Sequence, residues 1–229
     1  MEGQPLRRKE ELVKGVFESI QDRYDLLDSI ISAGMDQRWR RMLISDLNLS
    51  SGSRVLDCGA GTGKLTRMIL DLYPGCDVTS LDITESMLRP SILPETNFIV
   101  ASAEDIPLED SSCDAVVSAY LTRNLESVNR YFSEAYRVLK PGGTFANLDI
   151  YPPTLPVFSL LFSLYFYHIV PVIGNAATKS ESYTYLANSV RNFHSPEVIR
   201  GRIQAAGFSD VRMRKMMLGS IALHVGKKL

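Results

Sequence analysis

Val-Leu-Asp-Cys-Gly-Ala-Gly-Thr-Gly-Lys, residues 55–64, is a short apolar run that ends in an acid and passes through alternating glycines into an amphipathic stretch. The pattern predicts a strand, a tight turn and a helix start. Gly59, Gly61 and Gly63 take side chains away where backbone must approach a ligand. Asp57 sets a carboxylate at the strand's end, where a polyanion would be repelled, so a guest with positive charge is expected. Asp82 closes the next apolar run and is placed to accept both hydroxyls of a ribose. A nucleoside carrying an amino-acid tail meets both conditions, and S-adenosylmethionine is the candidate.

A dinucleotide site would space its glycines G-x-G-x-x-G, whereas this turn reads G-x-G-x-G. With Asp57 and the Lys140-Pro-Gly-Gly143 turn before a late strand, the spacing favours a methyltransferase sheet over a dinucleotide-binding one. Strands are expected at Arg54–Asp57, Cys76–Asp82, Asn97–Ala101, Cys113–Tyr120 and Thr144–Ile150, with helical stretches near Leu65–Leu72, Ser86–Leu88 and Leu125–Leu139. Such alternation implies a mostly parallel sheet with right-handed crossovers, whose ligands bind beyond the carboxyl ends of the strands. Gly59–Gly63, Asp82, Ser102–Ala103 and the loop after Tyr120 converge there. Ahead of the sheet, Val13, Val16, Phe17, Ile20, Tyr24, Leu27 and Ile31 recur at helical spacing, as do Trp39, Met42, Leu43 and Leu47 beyond Gly34. Behind it, Ser195-Pro-Glu197 opens a helix that Gly207 ends, and Val211–Met217 and Ile221–Val225, joined near Gly219, read as an antiparallel pair. The fold class is α/β: one Rossmann-like domain over 1–229, with a seven-stranded, mostly parallel sheet, helices over 1–50 and an apolar helical insert over 152–192 that serves as a substrate lid.

Twenty-five basic and 26 acidic residues leave a formal charge of −1, which supplies no field to steer a polyanion, and no nucleic-acid partner is expected. Cys58, Cys76 and Cys113 stand apart, each in or beside an expected strand, so neither a disulfide framework nor a metal site is suggested, and a reducing, cytoplasmic setting is expected. The charged stretch Arg7-Arg-Lys-Glu-Glu11 lacks the apolar core of a secretory signal, and the short amino terminus shows no mitochondrial-type presequence, which suggests a prokaryotic chain. Leu155–Gly174 is nearly free of charge and close to the length that crosses a bilayer. Pro156 and Pro171 bracket it, and Ser159, Ser163 and His168 interrupt it. It therefore reads as a buried helix or a lid over a greasy substrate in preference to a span, with peripheral contact at the inner face of a membrane left open.

Several stretches carry a family resemblance that runs nearly end to end. Phe17-Glu-Ser-Ile-Gln-Asp-Arg-Tyr-Asp-Leu-Leu27, Gly34-Met-Asp-Gln-Arg-Trp-Arg-Arg41, Thr122-Arg-Asn-Leu125, Ser182-Tyr-Thr-Tyr-Leu186, Ala206-Gly-Phe208 and Leu218-Gly-Ser-Ile-Ala-Leu-His-Val-Gly226 resemble the C-methyltransferases of ubiquinone and menaquinone biosynthesis. The resemblance implies a class I methyltransferase fold, S-adenosylmethionine as cofactor and S-adenosylhomocysteine as product. It implies cofactor contacts at Asp57, Gly59, Gly61, Thr62, Asp82, Ile83, Met87, Ser102, Ala103, Glu104 and Ala119. It also implies transfer of a methyl group to a ring carbon of a demethylated quinol bearing a prenyl tail, with demethylmenaquinol ahead of the ubiquinone precursor.

A ring carbon attacks well only when a neighbouring hydroxyl is deprotonated, so the site needs a route for that proton and positive charge for the phenolate. Arg123, just beyond the Cys113–Tyr120 strand, is expected to stabilise the anion or polarise a water, and Asn124 to fix its orientation or donate to a quinol oxygen. His168 is the candidate proton shuttle, and Tyr24, Tyr183 and Tyr185 are candidates to line the quinol pocket. Leu155–Val172 and the first helix are expected to form the trough for the tail. At about 25 cal/mol per Å² one or two isoprenes outweigh the ring contacts, so tail-length specificity is expected to be loose. Five positions depart from the family pattern: Ser102 in place of the usual aspartate or asparagine before the alanine that meets adenine, Lys64 after the third glycine, Leu121-Thr122 in place of a glycine-leucine pair before Arg123, and Asp149 for a glutamate. Ser102 is expected to reach the adenine amine only through water or not at all. Methylation of another lipid or small aromatic acceptor, and a non-catalytic scaffold of a quinone-biosynthesis assembly, are the alternative readings; a homodimer is compatible with each.

Overall fold

A computed structural model describes residues 8–20, 32, 34–88, 96–153, 155–178 and 180–229. Short apolar runs buried on both faces form the middle of a sheet, as parallel pairing requires. The strands are β1 (Arg54–Cys58), β2 (Asp77–Asp82), β3 (Asn97–Val100), β4 (Cys113–Ala119), β5 (Leu139–Ile150), β6 (Ser209–Met216) and β7 (Ile221–Lys227). They lie in the order β3-β2-β1-β4-β5-β7-β6, with β7 antiparallel to both neighbours and the other pairs parallel. Chain order reverses at β1, between β2 and β4, and this opens a crevice at the strands' carboxyl ends.

The helices are α1 (Arg8–Ile20), α2 (Met35–Ser45), α3 (Lys64–Leu72), α4 (Val128–Val138), α5 (Pro156–Leu164), α6 (Val170–Thr178), α7 (Ser182–Arg191) and α8 (Pro196–Ala205), with a π-helical turn at Tyr165–Ile169 between α5 and α6. One face of the sheet packs Leu56, Val116 and Phe145 against Tyr131 and Phe132 of α4 and Ile199 and Ile203 of α8. The other packs Val55, Val117 and Leu223 against Trp39, Leu43 and Ile44 of α2 and Leu65 and Ile69 of α3. A smaller cluster joins Ile20 of α1 to Phe166, Val170 of α6, and Tyr183 and Val190 of α7. Gly174 makes that junction close, because a Cβ there would fall 2.2 Å from the Tyr183 ring.

The structure revises several boundaries. The helix expected from Leu125 begins at Val128, because Thr122–Asn124 form a 3-10 turn and the Glu104 carboxylate takes the amides of Glu126 and Ser127 before Ser127 caps the helix. Ser86–Leu88 is no more than a 3-10 turn at Glu85–Met87. Leu139 already pairs with Cys113, and Lys140–Gly143 bulge out before the ladder resumes at Thr144, so the glycine turn lies within the strand's run. The first helix is described as far as Ile20; Tyr24, Leu27 and Ile31 lie outside the described residues. The apolar insert is helical but not a buried helix: Val157 is 77% exposed, Leu160 72% and Val172 71%. Among the described residues, the run Pro156–Thr178 is long and apolar enough, at 23 residues, to cross a membrane by length and composition.

Candidate active site

The glycine turn after β1 opens a cavity lined by Asp57, Gly59, Gly61, Thr62, Asp82, Ile83, Met87, Ser102, Ala103, Glu104 and Ala119, so the whole expected cofactor set meets in one place. Gly59 has φ +67°, Gly61 +55° and Gly63 +84°, a backbone course that side chains resist. A Cβ on Gly59 would also lie 2.8 Å from Leu121 Cδ1. The Asp82 carboxylate accepts from the amides of Gly61 and Thr84, each at 2.8 Å, which fixes it at the strand's end with lone pairs to spare for hydroxyl donors. Burial pushes its pKa up, and those amides pull it back.

Asp57 is 1% exposed. Thr66 Oγ1, on α3, donates to its Oδ2 at 2.7 Å, while its Oδ1 has no hydrogen-bond partner among the described residues. Burial pushes its pKa up to about 7, against the opposing pull of the Thr66 bond and the Arg40 charge. A buried carboxylate with an unanswered oxygen beside a side-chain-free bend is matched by a ligand that brings a cation. The residues present therefore fit S-adenosylmethionine, whose amino group and sulfonium are both positive.

A second cavity adjoins the first and is lined by Val16, Phe17 and Ile20 of α1, Ile150, Phe166, and Ser182, Tyr183, Tyr185 and Leu186 of α7, together with Tyr120, Arg123 and Asn124. Phe17, Tyr120 and Asn124 line both. Tyr120 sits at φ +65°, rare for a side chain of its size. Its carbonyl accepts from Arg123 Nη1 at 2.6 Å and Asn124 Nδ2 at 3.2 Å, which holds the turn in that conformation. Asn124 Oδ1 accepts in turn from the Tyr185 hydroxyl at 3.3 Å. Burial raises the Tyr185 pKa, so this phenol stays a proton donor.

The fold gives Arg123 and His168 surroundings that the sequence does not show. Arg123 lines the second cavity but is 5% exposed and ion-paired to Asp149 at 2.7 Å. Asp149 also accepts from Thr122 Oγ1 and from the amides of Arg123 and Ile150. The arginine's charge is thus balanced inside the protein, and the pair braces the turn. His168 is exposed on the π-helical turn and lies outside the lining of both cavities. Glu104 Oε1 accepts from the amides of Glu126 and Ser127 that lead into α4. Tyr183 and Tyr185 line the second cavity; Tyr24 lies outside the described residues.

Tyr120, whose loop is expected at the site, lines the first cavity, and Arg40 and Glu10 line it without having been singled out for it in the sequence. Arg40 is buried against Asp36 at 2.5 Å and lies 4.8 Å above the Tyr120 ring. On a helix such an i, i+4 pair reads as an exposed salt bridge, and only the fold buries it.

A sheet reversed at β1 and closed by an antiparallel β7, with a glycine turn between a cation-seeking acid and a ribose-placed acid, defines a class I S-adenosylmethionine-dependent methyltransferase. Solved structures share the fold: a SAM-dependent methyltransferase of Thermotoga maritima superposes with a TM-score of 0.70 at 17% identity, covering 94% of this chain and 99% of that one. Haemonchus contortus phosphoethanolamine N-methyltransferase 2, in complex with S-adenosylhomocysteine, gives 0.63 at 17% identity over 83% of this chain, which spans about half (52%) of that longer protein. The ubiE/COQ5 methyltransferase family model matches residues 6–228, and the chain belongs to that family. The ubiquinone/menaquinone biosynthesis C-methyltransferases UbiE of Desulfotalea psychrophila and Brucella anthropi are 35% and 36% identical to it, over 94% and 96% of this chain and 90% and 89% of theirs. The protein is an S-adenosylmethionine-dependent C-methyltransferase.

Proposed function

We propose that the enzyme methylates a ring carbon of a prenylated quinol in quinone biosynthesis, with demethylmenaquinol as its preferred acceptor over the ubiquinone precursor. The observation that carries this reading is the second cavity, an aromatic and aliphatic chamber meeting the donor cavity at Tyr120 and Asn124. Phe17, Phe166, Tyr183 and Tyr185 suit the faces of a fused bicyclic ring. Its polar groups include the Asn124–Tyr185 pair, which suits a ring with few oxygens better than a methoxylated one.

The bound cofactor supplies an electrophilic methyl group. Tyr185, kept protonated by burial, turns its hydroxyl from Asn124 Oδ1 to the quinol oxygen and stabilises the phenolate left when that oxygen gives its proton to water, while Asn124 Nδ2, with one N–H on the Tyr120 carbonyl, offers its other N–H as a second donor. The Arg123–Asp149 pair and the Tyr120 carbonyl hold Asn124 in place. Walls of Phe17, Ile20 and Phe166 exclude water, which strengthens those hydrogen bonds.

In this reading residues 1–229 are one domain, and the insert over 152–192 is both the lid of the acceptor chamber and the contact with the lipid that supplies the substrate. The enzyme is cytoplasmic and rests on the membrane through Val157, Leu160, Leu161, Leu164, Val172 and Ile173, all exposed. The test is incubation with a methyl-labelled donor and, separately, demethylmenaquinol and the demethylated ubiquinone precursor. Faster labelling of the naphthoquinol supports the assignment; labelling of neither quinol, with a different lipid labelled from a membrane extract, refutes it.

A further inference from the structure

The purine of the methyl donor carries an exocyclic amine, and a buried donor needs an acceptor. Its position follows from the sheet. β3 pairs with β2 on the side away from β1, with Val100 opposite Asp82, and the amide of Ala101 donates to the Asp82 carbonyl at 3.1 Å. A ribose held by Asp82, with its amino-acid tail toward Asp57, therefore turns its base toward the end of β3. There Ile83, Met87, Ala101 and Ala103 line the same cavity, apolar surroundings for a flat ring.

Ser102 lies in this slot, but its hydroxyl proton is already engaged. Ser102 Oγ donates to Glu10 Oε1 at 2.7 Å and accepts from the Glu104 amide at 3.2 Å. Glu10 belongs to α1, 92 residues away in the chain. Glu10, Val13 and Phe17, spaced by three and four residues, all line the cavity, so one face of α1 is its outer wall. A carboxylate accepts only and has room for several donors, so the contact with Ser102 orients it without exhausting it.

We propose that Glu10 is the residue that reads the base: its carboxylate, oriented by Ser102, accepts the purine amine and rejects a purine with an oxygen at that position. The assignment rests on S-adenosylmethionine as donor. It makes the amino-terminal helix part of the donor site, and because Phe17 and Ile20 of the same helix also wall the acceptor chamber, donor binding sets that wall before the acceptor arrives.

The experiment is calorimetric titration of S-adenosylhomocysteine and of S-inosylhomocysteine, its 6-oxo analogue, into the full-length wild type, Glu10→Ala and Glu10→Gln, with amide exchange of α1 followed in parallel. The wild type is expected to prefer the adenosyl ligand by tenfold or more. Glu10→Ala is expected to lose about tenfold for the adenosyl ligand and most of the preference, and Glu10→Gln, whose amide both accepts and donates, to bind the two within a few-fold. The adenosyl ligand is expected to protect α1 amides in the wild type and not in Glu10→Ala. Equal losses for both ligands in Glu10→Ala would make Glu10 a mere docking contact and overturn the proposal, as would an unchanged preference. Failure of the wild type to bind S-adenosylhomocysteine at all would instead overturn the donor assignment.

Discussion

Asp57→Asn separates what the donor site requires from what the fold would prefer. In the ligand-free protein burial holds the Asp57 carboxyl near pH 7, against 3.8 for an ordinary aspartate. At about 1.4 kcal/mol per pH unit, ionising it in place costs roughly 4 kcal/mol at pH 8. Because the folded pKa lies above the unfolded one, the stability this group contributes is complete below about pH 4 and is lost as pH rises through 7. Asparagine has no proton to lose and keeps an acceptor for Thr66, so the variant escapes the loss. With about 2–4 °C per kcal/mol for a chain of this size, the variant should melt roughly 5–15 °C above wild type at pH 8, and the gap should close as the pH is lowered toward 4. Binding should move the other way. The cationic donor favours the ionised carboxylate, so wild-type affinity should fall by up to about tenfold per pH unit below 7, with one proton released on binding at pH 6. The variant should bind at least about tenfold more weakly at pH 8 and show no such dependence. Thermal melts of ligand-free protein across pH, with calorimetry in two buffers of different ionisation enthalpy, measure both effects. A melting gap independent of pH, or wild-type binding without proton release, would show that Asp57 is not the strained acid described here.

Arg123→Ala leaves Asp149 charged and buried without its counterion, and should destabilise the protein by about 3–5 kcal/mol, read by denaturant unfolding, besides lowering turnover. Tyr185→Phe removes the donor without removing the ring; kcat should fall on the order of tenfold or more while S-adenosylhomocysteine affinity holds within about twofold. Gly174→Ala forces a methyl group into the Tyr183 ring and should loosen α6 from α7, seen as faster amide exchange in both helices and a cost of about 1–3 kcal/mol. His168→Gln should leave turnover and its pH profile unchanged, because the exposed imidazole lines none of the cavities described.

The frame of the fold was legible in the sequence because its signals are local. The glycine turn, the acids closing β1 and β2, and the Ser195-Pro196 cap of α8 each depend on a few neighbouring residues, and each lies where the pattern places it. The site was legible where the chain supplies backbone or a strand end, and obscure where partners come from afar. Arg123 reads as a free cation until Asp149, 26 residues on, is folded against it. Ser102 reads as a group too short for its task until α1 brings Glu10 alongside. Of the two expectations for the insert, the buried helix failed for a different reason: hydropathy is the same for a helix buried in a core and one facing outward, and only the packing shows that Val157, Leu160 and Val172 are exposed.

The block formed by Tyr120, Arg123, Asn124 and Asp149 is tied to the sheet itself, since the Tyr120 amide donates to Leu148 of β5 and Asp149 is a β5 residue. In the proposed reading the acceptor reacts above a floor continuous with the core, under a roof that, among the described residues, α1 and the insert supply. Such a division lets evolution retune which molecule is methylated by rewriting the roof alone, with the floor and the donor cradle passed on intact.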